Sequence, residues 1–281
     1  MNGLVLEGGA MRGMFTSGIL DVFMQENITF DTCVGVSAGA VFGCNFKSRQ
    51  IGRAIRYNKK YCNDKRYCSV YSLLTTGDLY GATFCYDTLP NVLDPFDYEA
   101  FENNPMDFWC VTTDVKSGKP YYVKTTKGSG DDMLYLRASA SMPLVSSSVK
   151  VGGKLLLDGG ISDPIPYRFM LDKKVDRCVV ILTQPEGYIK KKNPMNPLFK
   201  LIYRGDKSGI ARAMSIRHEV YNSQTEEIKK LEKEGKLFVI RPKYSLDIGK
   251  TEKDPEKLER VYQEGRRIAI EILPDLISYL S

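Results

Sequence analysis

The amino-acid sequence predicts an α/β fold in which helices cover both faces of a mostly parallel sheet. An apolar run at residues 3–6 ends in two glycines and is followed by a helical apolar pattern over residues 14–23. A second, β-rich run at 32–36 is followed by a helical pattern of small and apolar residues at 38–46. Two successive units of this kind imply parallel strands joined by right-handed helical crossovers.

The later elements are predicted from the same patterns. Residues 49–105 predict helices and loops that pack over the sheet, with a basic, tyrosine-rich helix at 53–61. Runs bounded by turn residues predict strands at 108–113, 120–123, 149–157 with a bend at Gly152-Gly153, 178–182 and 237–240. Helical periodicity predicts helices at 133–141, 206–234 and 255–280, the last one interrupted near Pro274. The sheet is therefore expected to extend past residue 158.

Composition places the chain among ordinary globular proteins. Of its 281 residues, 43% are hydrophobic and 26% are charged, so we expect one domain with a substantial core. The net charge of +6 favours an anionic surface as partner but is too small to predict nucleic-acid binding. No apolar segment reaches transmembrane length, and the N-terminus lacks the basic and apolar regions of a signal peptide.

The cysteines indicate the cellular environment. There are seven, an odd number, and they are scattered without a Cys-x-x-Cys pair. This pattern argues against a disulfide framework and against a zinc site. We therefore expect a reducing, cytoplasmic environment and neither a metal ion nor another cofactor. The oligomeric state is not readable from the sequence.

The motif Gly35-x-Ser37-x-Gly39 lies between a predicted strand and a predicted helix. In a nucleophile elbow, a strained turn at such a position projects a serine, and the glycines leave room for neighbouring backbone. The five-residue pattern alone fits a helix-entry turn equally well, with Ser37 as an N-cap. The motif therefore needs support from other segments of the chain.

A glycine-rich turn, residues 8–13, follows the first predicted strand. The backbone N–H groups of Gly8, Gly9 and Ala10, joined by that of Ala38, are candidates for an oxyanion hole, because helix N-termini present free donors. A phosphate loop or a plain tight turn fits the same segment. However, the turn lacks the lysine of a Walker loop, and Ala10 breaks the glycine spacing of a dinucleotide fingerprint. Nucleotide binding is therefore disfavoured.

An activated serine needs a base, and the sole histidine, His218, lies inside a predicted helix. The chain order Ser37, Asp158, His218 matches that of α/β-hydrolases, but those enzymes bring their histidine in on a loop. A Ser-Asp dyad is also chemically workable. Asp158 is the best candidate base, because it follows an apolar run and precedes two glycines, Gly159 and Gly160. A turn-opening aspartate is the alternative interpretation.

Taken together, these segments resemble the patatin-like phospholipases. Residues 7–13 are similar to that family's Asp-Gly-Gly-Gly-x-Arg-Gly, the serine elbow follows soon after, and Asp-Gly-Gly comes more than a hundred residues later. Residues 137–143 resemble the stretch that commonly precedes the catalytic aspartate of the family. The resemblance covers residues 3–185. The sequence departs from the family at Glu7 and Ala10, where Asp and Gly are common, so the geometry of the turn stays open.

The resemblance implies a three-layer α/β/α patatin-like fold with a mostly parallel central sheet and a mainly helical C-terminal part. It implies a catalytic domain at 3–185 and an extension at 186–281 that packs on it. By similarity, Ser37 would be the acyl-accepting nucleophile and Asp158 its general base. The other motif positions would form the oxyanion site (Gly8, Gly9, Ala10, with the N–H of Ala38) or support the turns (Arg12, Gly13, Gly35, Gly39, Gly159 and Gly160).

The implied activity is hydrolysis of acyl esters in phospholipids or neutral lipids through an acyl-enzyme. Residues 188–204 mix basic and apolar side chains. This mixture is typical of segments that contact an anionic membrane surface. A solvated loop followed by the start of a buried helix is the simpler interpretation. Two alternatives stay open: a noncatalytic lipid-binding or interaction protein on the same scaffold, and a Ser-His-Asp triad esterase that uses His218.

Overall fold

The computed structural model describes residues 1–281. It contains one sheet of eight strands. The strands are β1 (Asn2–Leu6), β2 (Thr32–Val36), β3 (Asp107–Asp114), β4 (Pro120–Thr125), β5 (Val149–Val151), β6 (Lys154–Asp158), β7 (Arg177–Ile181) and β8 (Phe238–Ile240). The helices are α1 (Gly13–Gln25), α2 (Ala38–Lys47), α3 (Arg53–Tyr61), α4 (Val70–Thr76), α5 (Tyr98–Asn103), α6 (Asp131–Ser139), α7 (Tyr167–Asp172), α8 (Asn196–Ile202), α9 (Ser208–Lys233) and α10 (Pro255–Leu280), with a π-helical segment at Phe84–Leu93.

The strand order is β5-β6-β3-β2-β1-β7-β8, and β4 pairs with β3. The five neighbours β3, β2, β1, β7 and β8 run parallel to one another. Strands β4 and β6 both pair with β3 in the antiparallel sense, and β5 pairs antiparallel with β6. The prediction of a mostly parallel sheet is therefore confirmed, with antiparallel strands added at one side.

Alternating side chains of the central strand β1 face two separate cores. Leu4 and Leu6 belong to a cluster that includes α1, α2, α3 and α10, whereas Val5 belongs to a second cluster that includes α7 and α9. All three side chains are fully buried, and each such burial stabilises the fold by about 1.5 to 3 kcal/mol. Helices thus cover both faces of the sheet, and the predicted three-layer α/β/α fold is confirmed.

Two local predictions were wrong. Residues 149–157 form an antiparallel hairpin rather than one bent strand. Gly152 and Gly153 both have positive φ, 56° and 71°, and two such residues in succession make a tight turn that reverses the chain. Helix α10 also continues through Pro274 without interruption. The carbonyl that loses its partner there belongs to Ile270, which is on the exposed side of the helix, where water can bind instead.

The C-terminal segment is integrated with the rest of the chain. Strand β8 pairs with β7 in the sheet, and α10 packs closely against α1. A Cβ at Gly18 would lie 2.1 Å from the carbonyl oxygen of Tyr262, so the two helix backbones touch. The Tyr262 hydroxyl donates a hydrogen bond of 2.6 Å to Asp21. The boundary near residue 185 stays a prediction. No helix combines the length and the apolar composition that crossing a membrane requires.

Candidate active site

Ser37 occupies a strained turn between β2 and α2. Its φ of 54° and ψ of −121° are rarely adopted by a residue with a side chain, and such a conformation costs on the order of 1–3 kcal/mol. The two flanking glycines allow close backbone packing. A Cβ at Gly39 would lie 2.5 Å from the carbonyl oxygen of Leu6, and one at Gly35 would lie 2.6 Å from the carbonyl oxygen of Gly39. The geometry is that of an elbow that projects the serine from the sheet edge.

The register of β3 brings Asp158 to Ser37. Strand β2 ends at Val36, which pairs with Val111 of β3, and the next residue of β3, Thr112, pairs with Asp158 of β6. Strand β4 occupies the other edge of β3 throughout this region, so β2 and β6 lie end to end along the same edge. Asp158 therefore takes the sheet position directly beyond the end of β2, where Ser37 turns away.

The two side chains are hydrogen-bonded. Ser37 Oγ donates to Asp158 Oδ2 at 2.7 Å, and the backbone N–H of Gly160 donates to Asp158 Oδ1 at 2.7 Å. Asp158 is only 1% exposed. Burial raises its pKa to about 6, although the bonds from Ser37 and Gly160 and the charge of Arg217 act in the opposite direction. The carboxyl group is thus mostly ionised at neutral pH and has a pKa suited to accepting a proton.

Residues at the end of α6 and just after it support this pair. The backbone N–H of Ser37 donates to Ser139 Oγ at 2.9 Å, and that hydroxyl donates to the carbonyl of Val111 at 2.6 Å. The backbone N–H of Asp158 donates to the carbonyl of Ser141 at 2.8 Å. Two serines at the end of a helix carry no functional signal by themselves, so these contacts could not be predicted for Ser139 and Ser141. Only the family resemblance of residues 137–143 points to this stretch.

The predicted oxyanion donors lie beside Ser37. Gly8, Gly9 and Ala10 line the same cavity as the serine, and a Cβ at Gly8 would lie 3.0 Å from the Cβ of Ser37. No acceptor in the protein receives a hydrogen bond from the N–H of Gly8 or Gly9. Ala38 is the first residue of α2, where N–H groups lack intrahelical acceptors. The four residues thus surround the serine at the edge of the sheet.

Ala10 adopts the conformation that glycine favours. Its φ is 49°, in the left-handed region, so the turn keeps a conformation that glycine adopts readily although the residue is alanine. Arg12 Nε donates weakly to Thr183 Oγ1 at 3.4 Å. Gly13 packs against Phe42, as a Cβ there would lie 2.7 Å from the ring. These contacts hold the turn between β1 and α1 against the ends of neighbouring elements.

Glu7 is buried at the end of β1. It accepts hydrogen bonds from the N–H of Thr183 and, at 2.9 Å, from the hydroxyl of Tyr221 on α9. Burial raises the pKa of Glu7, although these two bonds and the charge of Arg12 act in the opposite direction. The side chain therefore connects the end of β1 with the segment after β7 and with helix α9.

Arg217 on α9 reaches the aspartate turn, a contact that the sequence analysis missed. Its Nε donates a hydrogen bond to the carbonyl oxygen of Gly160, whose own N–H binds Asp158. Burial lowers the pKa of Arg217, while the charge of Asp158 raises it. An arginine in a charged helical stretch gives no sequence signal for such a role.

His218 is not part of the Ser37–Asp158 pair. It lines the cavity, but it makes no hydrogen bond with either residue. Its Nε2 lies 3.7 Å from a carboxylate oxygen of Glu219, and its Nδ1 is buried without a partner. The arrangement is therefore that of a direct Ser-Asp contact.

The cavity in front of Ser37 has a volume of ≈ 490 Å³. Its lining includes two acidic residues, Glu7 and Asp158, and six basic ones: Arg12, Lys190, Lys191, Lys192, Arg217 and Lys250. No group of three or more His, Cys, Asp or Glu side chains is arranged to hold a metal ion. The cavity therefore presents a serine, its carboxylate partner and a mainly cationic wall.

The fold and this site define a class of α/β protein in which a strained serine at a strand–helix elbow contacts an aspartate directly. The family model of patatin-like phospholipases matches residues 4–171, and the chain belongs to this family. A second model, described as a domain of unknown function (DUF6363), matches residues 207–281. That second match includes α9, which carries Arg217.

The chain is also similar to individual proteins. The chain is 29% identical over 188 residues to the uncharacterized protein YjjU of Escherichia coli, covering 65% of this chain and 52% of that protein. It is 26% identical over 196 residues to the lysophospholipase NTE1 of Candida glabrata, covering 69% of this chain and 11% of that protein. The chain thus spans about half or less of these relatives. VipD from Legionella pneumophila superposes with a TM-score of 0.48 at 12% identity, over 98% of this chain and 67% of that one.

Proposed function

We propose that this protein is a serine hydrolase that cleaves carboxylic ester bonds of lipids, with Ser37 as nucleophile and Asp158 as general base. The observation that carries the proposal is the 2.7 Å hydrogen bond from Ser37 Oγ to Asp158 Oδ2 at the edge of an open cavity. General bases act within about 2.6 to 3.2 Å of the proton that they remove. Membership of the patatin-like phospholipase family supports the same chemistry.

The proposed reaction has two halves. Asp158 accepts the Ser37 proton while Oγ attacks the acyl carbon, and the negative oxygen faces the N–H groups of Gly8, Gly9, Ala10 and Ala38. Collapse expels the alcohol, which takes the proton from Asp158 and leaves an acyl-serine. Water then attacks the acyl-serine, with Asp158 again accepting a proton and returning it to Ser37 as the free acid departs.

The lipid nature of the substrate is inferred from the family and from the surroundings of the cavity. Relatives include proteins named lysophospholipase. The first part of the segment 188–204, residues 188–194, lines one side of the cavity. The whole segment exposes five apolar side chains, at Ile189, Met195, Leu198, Leu201 and Ile202. Lys191, Lys192, Lys200 and Arg204 lie among them. Apolar side chains interspersed with basic ones favour peripheral contact with an anionic lipid surface, and we include this contact in the proposal.

Labelling with a fluorophosphonate probe tests the nucleophile. We expect the wild type to be labelled and Ser37→Ala to be inert, with Ser223→Ala, a serine of α9 outside the cavity, as the matched control. An unlabelled wild type would favour the noncatalytic lipid-binding alternative. Hydrolysis of 4-nitrophenyl butyrate then distinguishes the two mechanisms. The dyad predicts loss of activity in Asp158→Asn and activity in His218→Ala, whereas a triad predicts loss in both.

The cytoplasmic location stays a prediction.

A further inference from the structure

The basic side chains around the cavity have no acidic partners. None of the six forms an ion pair with an Asp or Glu side chain. The two acids in the lining are already engaged, Glu7 with Thr183 and Tyr221, and Asp158 with Ser37 and Gly160. The wall in front of the serine therefore carries more positive than negative charge.

Four of these residues, Arg12, Lys190, Arg217 and Lys250, influence one another electrostatically, and we call them the cation cluster. Burial and then the charge of Arg217 lower the pKa of Lys190 to about 8, with smaller contributions of the same sign from Arg12 and Lys250 and an opposing one from Glu7. Burial and the charges of Arg217 and Arg12 also lower the pKa of Lys250. The protein thus holds like charges close together, and a bound anion would relieve this repulsion.

The cluster has free hydrogen-bond donors. The ammonium groups of Lys190 and Lys250 donate to no protein atom. Arg12 uses only its Nε, toward Thr183, and Arg217 uses only its Nε, toward Gly160. The Nη groups of both arginines therefore stay available. The Lys190 ammonium lies 4.3 Å from the ring centre of Tyr221, a cation–π contact that fixes its position over the cavity.

We propose that the cation cluster binds the phosphate of the substrate and selects lipids whose headgroup is a phosphate without a balancing positive charge. The inference rests on the proposed function and specifies its substrate class. Two guanidinium and two ammonium groups match the several oxygens of a phosphate monoester. A zwitterionic headgroup would place its own ammonium among four cations, so the same residues that attract phosphatidate disfavour phosphatidylcholine.

The test compares three soluble substrates below their micelle concentrations: dihexanoyl phosphatidic acid, dihexanoyl phosphatidylcholine and 4-nitrophenyl butyrate. We expect kcat/KM to be at least tenfold higher for the phosphatidate than for the phosphatidylcholine. Lys190→Gln and Lys250→Gln should each lower the ratio of phosphatidate to butyrate kcat/KM about tenfold, the size of one charge-assisted hydrogen bond. Lys243→Gln, an exposed lysine outside the cavity, should leave the ratio unchanged.

Equal turnover of the two phospholipids, or ratios that do not change in the lysine variants, would overturn the inference. Titration calorimetry measures the binding of dihexanoyl phosphatidic acid to the Ser37→Ala variant. It distinguishes failure of the anion site from failure of the proposed hydrolytic function. If no ester is cleaved but Lys190-dependent binding of dihexanoyl phosphatidate remains, the proposed function fails while the anion site stands. The same calorimetry is carried out with inorganic phosphate as the ligand. If it binds the cluster as tightly as the phosphatidate does, the site recognises free phosphate, and headgroup selection is refuted.

Discussion

Replacing Asp158 with asparagine should abolish activity and at the same time stabilise the fold. Asparagine keeps the size of the side chain, and its carbonyl can accept from the Gly160 N–H while its amide N–H donates to Ser37 Oγ, but it cannot take the proton. The carboxylate is buried and lies 2.7 Å from the serine hydroxyl, and His218 makes no bond with that hydroxyl. General-base catalysis contributes about 10² to 10⁴ in rate. We therefore expect kcat to fall by about 10² to 10⁴, or about 2.7 to 5.5 kcal/mol.

The stabilisation follows from the pKa of the same group. Burial raises the pKa of Asp158 from 3.8 to about 6, two units that correspond to about 3 kcal/mol. Because the folded pKa is the higher one, the protonated form stabilises the fold fully below pH 4, and this contribution is lost as pH rises through 6. The ionised carboxylate thus destabilises the wild type at pH 8. A neutral amide at this position would carry no such penalty, so Asp158→Asn should melt at a higher temperature at pH 8 and show little gain at pH 4.

Two measurements check the reasoning. The first is hydrolysis of 4-nitrophenyl butyrate across pH, where wild-type kcat/KM should decline as pH falls through about 6, since the protonated base cannot accept the serine proton. The second is thermal unfolding of wild type and variant at pH 4 and pH 8. A variant that keeps more than a tenth of wild-type kcat would refute Asp158 as the base. A variant less stable than the wild type at pH 8 would refute the account of its burial.

Three further predictions concern the supporting residues. Arg217→Met should lower kcat about tenfold and shift the acid limb of the pH profile upward, because the charge of Arg217 lowers the pKa of Asp158; an unshifted limb would indicate a purely structural role. Ala10→Gly should raise the free energy of unfolding by about 1 kcal/mol, measured in urea, because it relieves a φ of 49°; a loss of stability would contradict this. Gly39→Ala should lower that free energy by about 1–3 kcal/mol through a backbone clash, whereas Gly249→Ala, with room for a Cβ, should not.

The local parts of the site could be predicted from the sequence. Ser37 and the glycine turn lie at the ends of short strands that lead directly into helices, so the pattern of apolar residues and glycines specifies both the elements and the turns. Asp158 was also identified by its position between an apolar run and two glycines. Each segment is recognised from a few neighbouring residues, but the roles of Ser37 and Asp158 were inferred only from the three segments taken together. The hairpin at Gly152-Gly153 was missed although two successive glycines between apolar runs are a hairpin signal, and its first strand is only three residues long.

The parts that depend on distant contacts could not be predicted. Arg217 faces the aspartate turn because α9 packs at a particular rotation, set by buried side chains such as Ile210, Met214 and Tyr221. Periodicity predicts that a helix has an apolar face but does not say which element that face meets. The cation cluster likewise combines residues from four separate segments of the chain. The basic segment at 188–204 and the glycine turn with Arg12 each stand out in the sequence, but nothing there indicates that they meet Arg217 and Lys250.

Strands β2 and β6 lie end to end along one edge of β3, and this arrangement determines when the chain can become reactive. Ser37 and Asp158 are 121 positions apart, and they meet only after β6 has docked beyond the end of β2. At about 5–20 residues per second, a ribosome takes about 6 to 24 s to add those residues. During that interval the nascent chain contains Ser37 without Asp158, its proposed base. Hydrolytic activity should therefore report completion of the non-local sheet pairing, a slow step in folding, rather than formation of the early strand and helix units.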